Sequence, residues 1–258
     1  MGHNVSVVDA ENPAVDESAA PSGRSAGSAL EDNPMMYHRR VTSFRSRHGS
    51  LKDSQQRTWD ELWPVLGADV SEEPLDDTAW FGRSAPLVIE IGSGTGTATA
   101  AMAAAEPEVN LVAVEVYRPG IAQLLKHIKN GGVSNIRILK GDASEMLNHM
   151  IADNSVTGFR VFFPDPWPKA RHHKRRFLQT ETISMLVDKL RPGGVLHIAT
   201  DHADYAEFIA EASAPENRLG PLSGPSPMTL ERPQTKFEIK GIRAGSTITE
   251  FIWEKIEE

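Results

Sequence analysis

Short apolar runs bounded by Gly, Pro, Asp or Asn recur along the chain from Pro86 onward, and amphipathic stretches fill the gaps between them. The runs predict strands at Leu87–Ile91, Leu111–Val116, Ile136–Lys140, Val156–Phe163 and Val195–Thr200. Helices are predicted between them over Thr97–Ala105, Pro119–Asn130, Ser144–Ile151, Arg176–Leu190 and His202–Ala212. Alternating strands and helices imply an α/β fold, a doubly wound Rossmann-like sheet covered by helices on both faces. The Pro- and Gly-rich segment Ser213–Pro233 reads as a loop. The last strand, Ser246–Lys255, follows that loop and no helix, so the sheet is expected to be mostly parallel with an antiparallel C-terminal strand.

The N-terminal part has a different pattern. Residues 1–34 are rich in Ala, Ser, Gly, Pro and acids and almost lack large apolar side chains, which predicts a disordered acidic tail. Residues 35–80 read as a basic arm, a short helix over Ser54–Trp63 with Trp59, Leu62 and Trp63 on one side, and an acidic linker over 69–79. Residues 81–258 carry the predicted sheet.

Charge changes this picture. The net charge is −8, which argues against a polyanionic partner until its distribution is considered. The tail holds six acids and one base, and without it the balance is −3. Residues 38–57 then hold six bases against Asp53 alone. Local patches matter more to a phosphate backbone than the total does. With no cysteine in 258 residues, disulfides, zinc–thiolate sites and thiol nucleophiles are excluded. No run reaches membrane-spanning length and no signal core opens the chain, so a soluble, cytoplasmic protein is expected.

The first predicted strand runs into Gly92-Ser93-Gly94-Thr95-Gly96 before a helix, a turn whose glycines let the backbone approach a ligand. The spacing differs from the dinucleotide fingerprint. Glu90, just before the turn, would repel a pyrophosphate and attract an amine. Glu115 ends the second strand, where an acid accepts from ribose hydroxyls. Asp142, in Gly141-Asp142-Ala143, ends the third, where it can accept from an adenine amino group. Each acid alone could be a helix N-cap. Together at successive strand ends, Glu90, Glu115 and Asp142, with Gly92, Gly94, Gly96 and Ala143, form a cradle suited to S-adenosylmethionine.

Phe162-Phe163-Pro164-Asp165-Pro166-Trp167-Pro168 follows the fourth strand. Its prolines fix neighbouring φ angles and bar helix, leaving Asp165 on a stiff loop. A run of cations follows: Lys169, Arg171, Lys174, Arg175 and Arg176. Placed at the start of a predicted helix they oppose its dipole, and phosphate binding supplies a reason for them. His172 and His173 are assigned to the same surface, and no metal site is expected.

The chain resembles the tRNA (guanine-N7)-methyltransferases, the TrmB family of class I S-adenosylmethionine-dependent enzymes. The resemblance rests on Glu90 to Gly96, Glu115, Gly141-Asp142-Ala143 and the block Phe163–Arg176. It is extended by His197-Ile198-Ala199-Thr200-Asp201, Arg232-Pro233 and Thr235-Lys236-Phe237-Glu238. It covers roughly Arg39 to the C-terminus and leaves the acidic tail outside. It implies that Glu90, Glu115, Asp142 and Asp165 contact S-adenosylmethionine or line its pocket, and that Asp165 is catalytic. It further implies that Lys169, Asp201 and Thr235, Lys236, Phe237 and Glu238 contact tRNA, with Arg171–Arg176 as an RNA-binding strip. The acceptor would be N7 of a guanosine in the variable loop.

That chemistry suits the residues. Guanine N7 is a lone-pair acceptor with no proton to remove, so alignment and electrostatics outweigh a strong base. N7 faces the deep groove of A-form RNA, so the base must leave its stack, with Trp167 and Phe237 as candidate platforms or core residues. Nothing in the sequence requires a protein partner, so a monomer or homodimer is expected. Two other readings stand beside this one: a non-catalytic tRNA-binding module on the same fold, and a nicotinamide-dependent oxidoreductase.

Overall fold

The computed structural model describes residues 42–44, 49–235, 238–239, 245 and 247–256. The expected acidic tail, and Arg39, Arg40, Arg45 and Arg47 of the expected arm, lie outside the described residues.

Helix α1 (Asp53–Leu66) is followed by strand β1 (Gly67–Asp69) and the short helix α2 (Asp77–Phe81). Strand β2 (Leu87–Ile91) leads through the glycine turn into α3 (Thr97–Ala105), then β3 (Asn110–Glu115), α4 (Arg118–Gly131), β4 (Ile136–Lys140) and α5 (Ala143–His149). Strand β5 (Val156–Phe162) is followed by a 3-10 turn (Ala170–Arg175), α6 (Thr180–Lys189), β6 (Leu190–Thr200), α7 (Ala203–Ser213), β7 (Leu219–Pro221) and β8 (Thr249–Lys255).

Among the described residues eight strands form one sheet in the order β1-β4-β3-β2-β5-β6-β8-β7. The first six in that order run parallel, whereas β8 is antiparallel to both β6 and β7. The expected fold class and the antiparallel terminal strand are therefore present. All five residues of β2 are buried, as a central parallel strand covered on both faces requires. One apolar layer packs Leu124, Leu125 and Ile121 of α4 against the sheet. The opposite layer uses Met146, Ile183, Leu186, Tyr205 and Ile209 from α5, α6 and α7.

The chain leaves β2 toward β3 and β4, then returns to place β5 on the other side of β2. The order reverses between β2 and β5, and ligands in such sheets bind at the carboxyl ends of the strands flanking that reversal. Ile91 lies beside Val161 there, so the glycine turn and the Asp165 loop leave the sheet side by side.

Three short elements lie where no strand or helix is predicted. Strand β1 pairs in parallel with β4, α2 starts inside the expected acidic linker, and β7 lies in the expected loop. Asp76 starts α2 by accepting from the Ala79 N–H at 2.8 Å, a local cap. Trp59 of α1 is buried in the α4 layer, so α1 is built onto the sheet. The expected helix over Arg176–Leu190 begins later, at Thr180. The cations wind a separate 3-10 turn, and Phe177 and Leu178 insert into the core before α6 starts. The basic run therefore does not occupy the first turn of α6, and opposition to that helix's dipole is not what its placement reflects.

Candidate active site

The turn after β2 sets the floor of the site. Gly92 has φ 78°, a left-handed conformation that a side chain would strain, and a Cβ there would point into open space. Its backbone is thus exposed to whatever enters. The Gly94 N–H donates to a Glu115 carboxylate oxygen at 2.7 Å. The other oxygen of Glu115 accepts from the N–H groups of Val116 at 2.7 Å and Tyr117 at 2.8 Å. Glu115 at the end of β3 therefore fixes the turn that follows β2 as well as facing the cavity. Gly96 is the N-cap position of α3.

Glu90 is almost entirely buried, at 4% exposure. Thr99 donates to its Oε1 at 2.8 Å, and Oε2 has no hydrogen-bond partner among the described residues. Burial pushes its carboxyl above the usual range, partly offset by the Thr99 hydrogen bond and by Arg160, its neighbour in register on β5. An enclosed carboxylate oxygen without a donor is costly unless a cationic ligand supplies one.

Asp165 sits on the loop after β5. Phe163 and Trp167, two residues to either side, have φ 51° and 43°. Left-handed backbone costs a non-glycine residue about 1–3 kcal/mol and persists only where the surroundings enforce it. Three bonds enforce it here. The Phe163 N–H donates to the Ala199 carbonyl at 2.8 Å, the Trp167 Nε1 to the Ser43 carbonyl at 3.0 Å, and the Arg176 Nε to the Pro166 carbonyl at 2.9 Å.

Two cavities meet at this point. The smaller, about 210 Å³, is lined by Glu115, Tyr117, Gly141, Asp165 and the apolar side chains of Ile91 and Phe177. The larger, about 870 Å³, is lined by Glu90, Gly94, Thr97, Asp201, Thr235 and Glu238. Gly92, Phe162 and Phe163 line both. Glu90, Glu115 and Asp165, from three different strand ends, therefore surround one crevice.

The other expected site residues divide between this crevice and its surroundings. Asp142 caps α5, accepting from the Ser144 N–H at 3.0 Å, and lines a recess of about 130 Å³ with Lys174 and Arg175 that shares Ser43 and Phe177 with the smaller cavity. Its neighbour Gly141 faces the cavity in its place. Ala143 is buried in the apolar layer beneath α5. Among the cations, Lys169, Arg171 and Lys174 are exposed, and Arg175 lies over the Trp167 ring at 4.9 Å. Arg176 is buried and turned inward, so it presents no charge at the surface. Trp167, a candidate stacking platform, is buried beneath Arg175, as a core residue is. Asp201 and Thr235 line the larger cavity, and Lys236 and Phe237 fall outside the described residues. Glu238 is buried, with both carboxylate oxygens held by Arg232, one of them at 2.8 Å. Arg232 also bonds Glu250 at 2.8 Å and lies over the Phe163 ring at 4.9 Å. No group of His, Cys, Asp and Glu suited to a metal ion occurs among the described residues.

Sequence reasoning missed Gly120. It lies on α4, where a Cβ would come within 2.4 Å of the Gly94 carbonyl oxygen. A glycine near the start of a helix costs stability, and that cost was the available signal that something packs closely there.

A family model described as "Putative methyltransferase" matches residues 84–251. The tRNA (guanine-N(7)-)-methyltransferase of Rhodococcus jostii (strain RHA1) is 59% identical over 237 residues, covering 92% of this chain and 92% of that protein. The protein of the same name from Nocardia farcinica (strain IFM 10152) is 56% identical, covering 97% of this chain and 99% of the relative. A Mycobacterium sp. (strain KMS) protein of that name is 54% identical over 88% of this chain and 85% of its own length.

Proposed function

This chain belongs to the tRNA (guanine-N7)-methyltransferase family, and from that premise we infer that it transfers a methyl group from S-adenosylmethionine to N7 of a guanosine in the variable loop of tRNA. The observation that carries the reading is the meeting of Glu90, Glu115 and Asp165 around Gly92, where two cavities join.

When bound, S-adenosylmethionine supplies an electrophilic methyl group on a sulfonium. The residues present fit that molecule. The partnerless Oε2 of Glu90 suits its amine, Glu115 and the apolar walls of the smaller cavity suit its nucleoside, and the exposed backbone at Gly92 allows close approach. A dinucleotide pyrophosphate would meet Glu90 instead and be repelled. Asp142 contributes through the α5 cap that holds Gly141 against the cavity.

The larger cavity receives the guanosine. Its size and its polar lining by Asp201, Thr235 and Glu238 suit an extruded nucleobase, and Phe162 and Phe163 offer apolar surface where Trp167 does not. Asp165, on the wall of the smaller cavity, meets the base where the two cavities join at Gly92 and Phe163, accepts from it there and faces the positive charge that develops on the purine. A fixed carboxylate favours that charge without having to remove a proton. The stiff, strained loop keeps Asp165 from relaxing away from the reacting atoms. Lys169, Arg171, Lys174 and Arg175 hold the ribose–phosphate chain outside. We place the reaction in the cytoplasm, with tRNA as the partner and no membrane role. Among the described residues no helix is long and apolar enough to cross a membrane.

Methyl transfer from labelled S-adenosylmethionine to an unmodified tRNA transcript, followed by mapping of the product base, tests this function. A methyl on N7 of a variable-loop guanosine supports it. Binding of tRNA with no transfer would leave the non-catalytic module as the better reading.

A further inference from the structure

Arg176 closes the run of cations, yet its side chain is 0% exposed. Its Nε donates to the Pro166 carbonyl at 2.9 Å, and its Nη2 donates to the Asp204 carboxylate on α7. The guanidinium carbon lies 4.9 Å from the ring centres of both Tyr205 and Phe208. The guanidinium borders the small recess that Lys174 and Arg175 line, and its Nη1 has no hydrogen-bond partner among the described residues, but its Nε and Nη2 are both engaged within the protein.

Pro166 directly follows Asp165. Neither Pro164 nor Pro166 has an N–H, so the backbone around the acid has few handles by which the protein can hold it. The Pro166 carbonyl is one, and Arg176 grips it. The planar fork of an arginine lets one side chain bond a carbonyl and a carboxylate at once in fixed directions, which a lysine ammonium cannot reproduce. Asp204 supplies the opposing charge from the surface, with its side chain 53% exposed, and its hydrogen bond from Arg176 holds its carboxyl below the usual range.

We propose that Arg176 is a positioning residue, which anchors the Asp165 loop to α7 through Pro166 and Asp204, and that it is not one of the RNA-binding cations. This rests on the methyl-transfer reading above, and it separates one cation from a run that sequence treats as uniform.

The test compares wild type, Arg176→Lys and Asp204→Asn in the full chain. It measures kcat at saturating tRNA and S-adenosylmethionine, and the affinity for tRNA across a salt series. The anchor role expects kcat to fall about tenfold to a hundredfold in both variants, as misplacement of a reacting group does. It expects tRNA affinity no weaker than wild type in both variants, with an unchanged salt slope. Asp204→Asn is the sharper arm: it removes a negative charge, so electrostatics alone would tighten RNA binding, and a loss of kcat cannot come from weakened attraction. Should Arg176→Lys fail to fold, Asp204→Asn, changed at the surface, decides alone. Wild-type kcat in either folded variant overturns the proposal. So does a loss of about one unit of salt slope in a further variant, Arg176→Gln, which drops the charge that lysine keeps: the mark of a lost phosphate contact. A wild-type chain that transfers no methyl to tRNA defeats the methyl-transfer reading and the anchor with it. An active wild type with fully active variants defeats only the anchor.

Discussion

The carboxylate of Glu115 accepts the backbone N–H of Gly94 at 2.7 Å, so the acid ending β3 holds in place the glycine turn that ends β2. A carboxylate accepting several N–H groups is a charge-assisted fastening, worth roughly 1.5–3 kcal/mol per bond when its acceptors are lost. Glu115→Gln replaces one acceptor oxygen by a donor that faces an N–H. The expected result is an affinity for S-adenosylmethionine weakened about tenfold or more, read by titration calorimetry, with a smaller loss of thermal stability.

Gly120→Ala reaches the same turn from the other side. The added methyl would meet the Gly94 carbonyl oxygen, a backbone atom that cannot rotate away. Better helix propensity favours alanine by about 1 kcal/mol, and overpacking of about 1–3 kcal/mol opposes it. Weaker cofactor binding is expected although residue 120 lines neither cavity. Unchanged affinity in the same titration would mean that the turn yields without consequence.

Glu90 trades stability for binding. Its folded pKa lies above its unfolded one, chiefly through burial. Its contribution to stability is therefore present below the unfolded value and is lost as pH rises through the folded value. Near neutral pH, Glu90→Gln should make the unliganded chain more stable by about 1 kcal/mol, with the gain vanishing in acid. Cofactor affinity should move oppositely, falling about tenfold or more in the variant, because a cationic amine loses its counter-charge. In the wild type that affinity should rise with pH through the shifted carboxyl and then level off. Thermal melts and titrations over a pH series check both arms.

Lys174 is exposed beside the recess that Asp142 and Arg175 line. Lys174→Ala should weaken tRNA binding and make its salt dependence shallower by about one phosphate contact. Binding measured between low and moderate salt checks this, and an unaltered slope would remove Lys174 from the RNA surface.

The central strands, the glycine turn and the Asp165 loop were legible because each has a local signature: an apolar run, a glycine spacing, flanking prolines. Strands β1 and β7 span three residues each, too few for any periodicity to register. Gly120 matters through a contact with Gly94, and Arg176 through Asp204, 28 residues away. Such pairings arise from tertiary packing and leave no trace in the neighbouring sequence. The cations show the limit most clearly. Lys174 and Arg176 are equivalent as letters in a basic run, and burial alone separates one at the surface from one locked beneath a loop. Asp142 is a milder case, since the acid caps a helix while Gly141 beside it faces the cavity.

The most direct test of the gathered site is methyl transfer by wild type and Asp165→Asn under single-turnover conditions, on an unmodified tRNA transcript with the product base mapped. The expected result is a methyl on guanosine N7 in wild type, and a rate lower by about a hundredfold to a thousandfold in Asp165→Asn with tRNA binding intact. Full-rate transfer by Asp165→Asn, or a methyl mapped to any atom other than guanine N7, would contradict it.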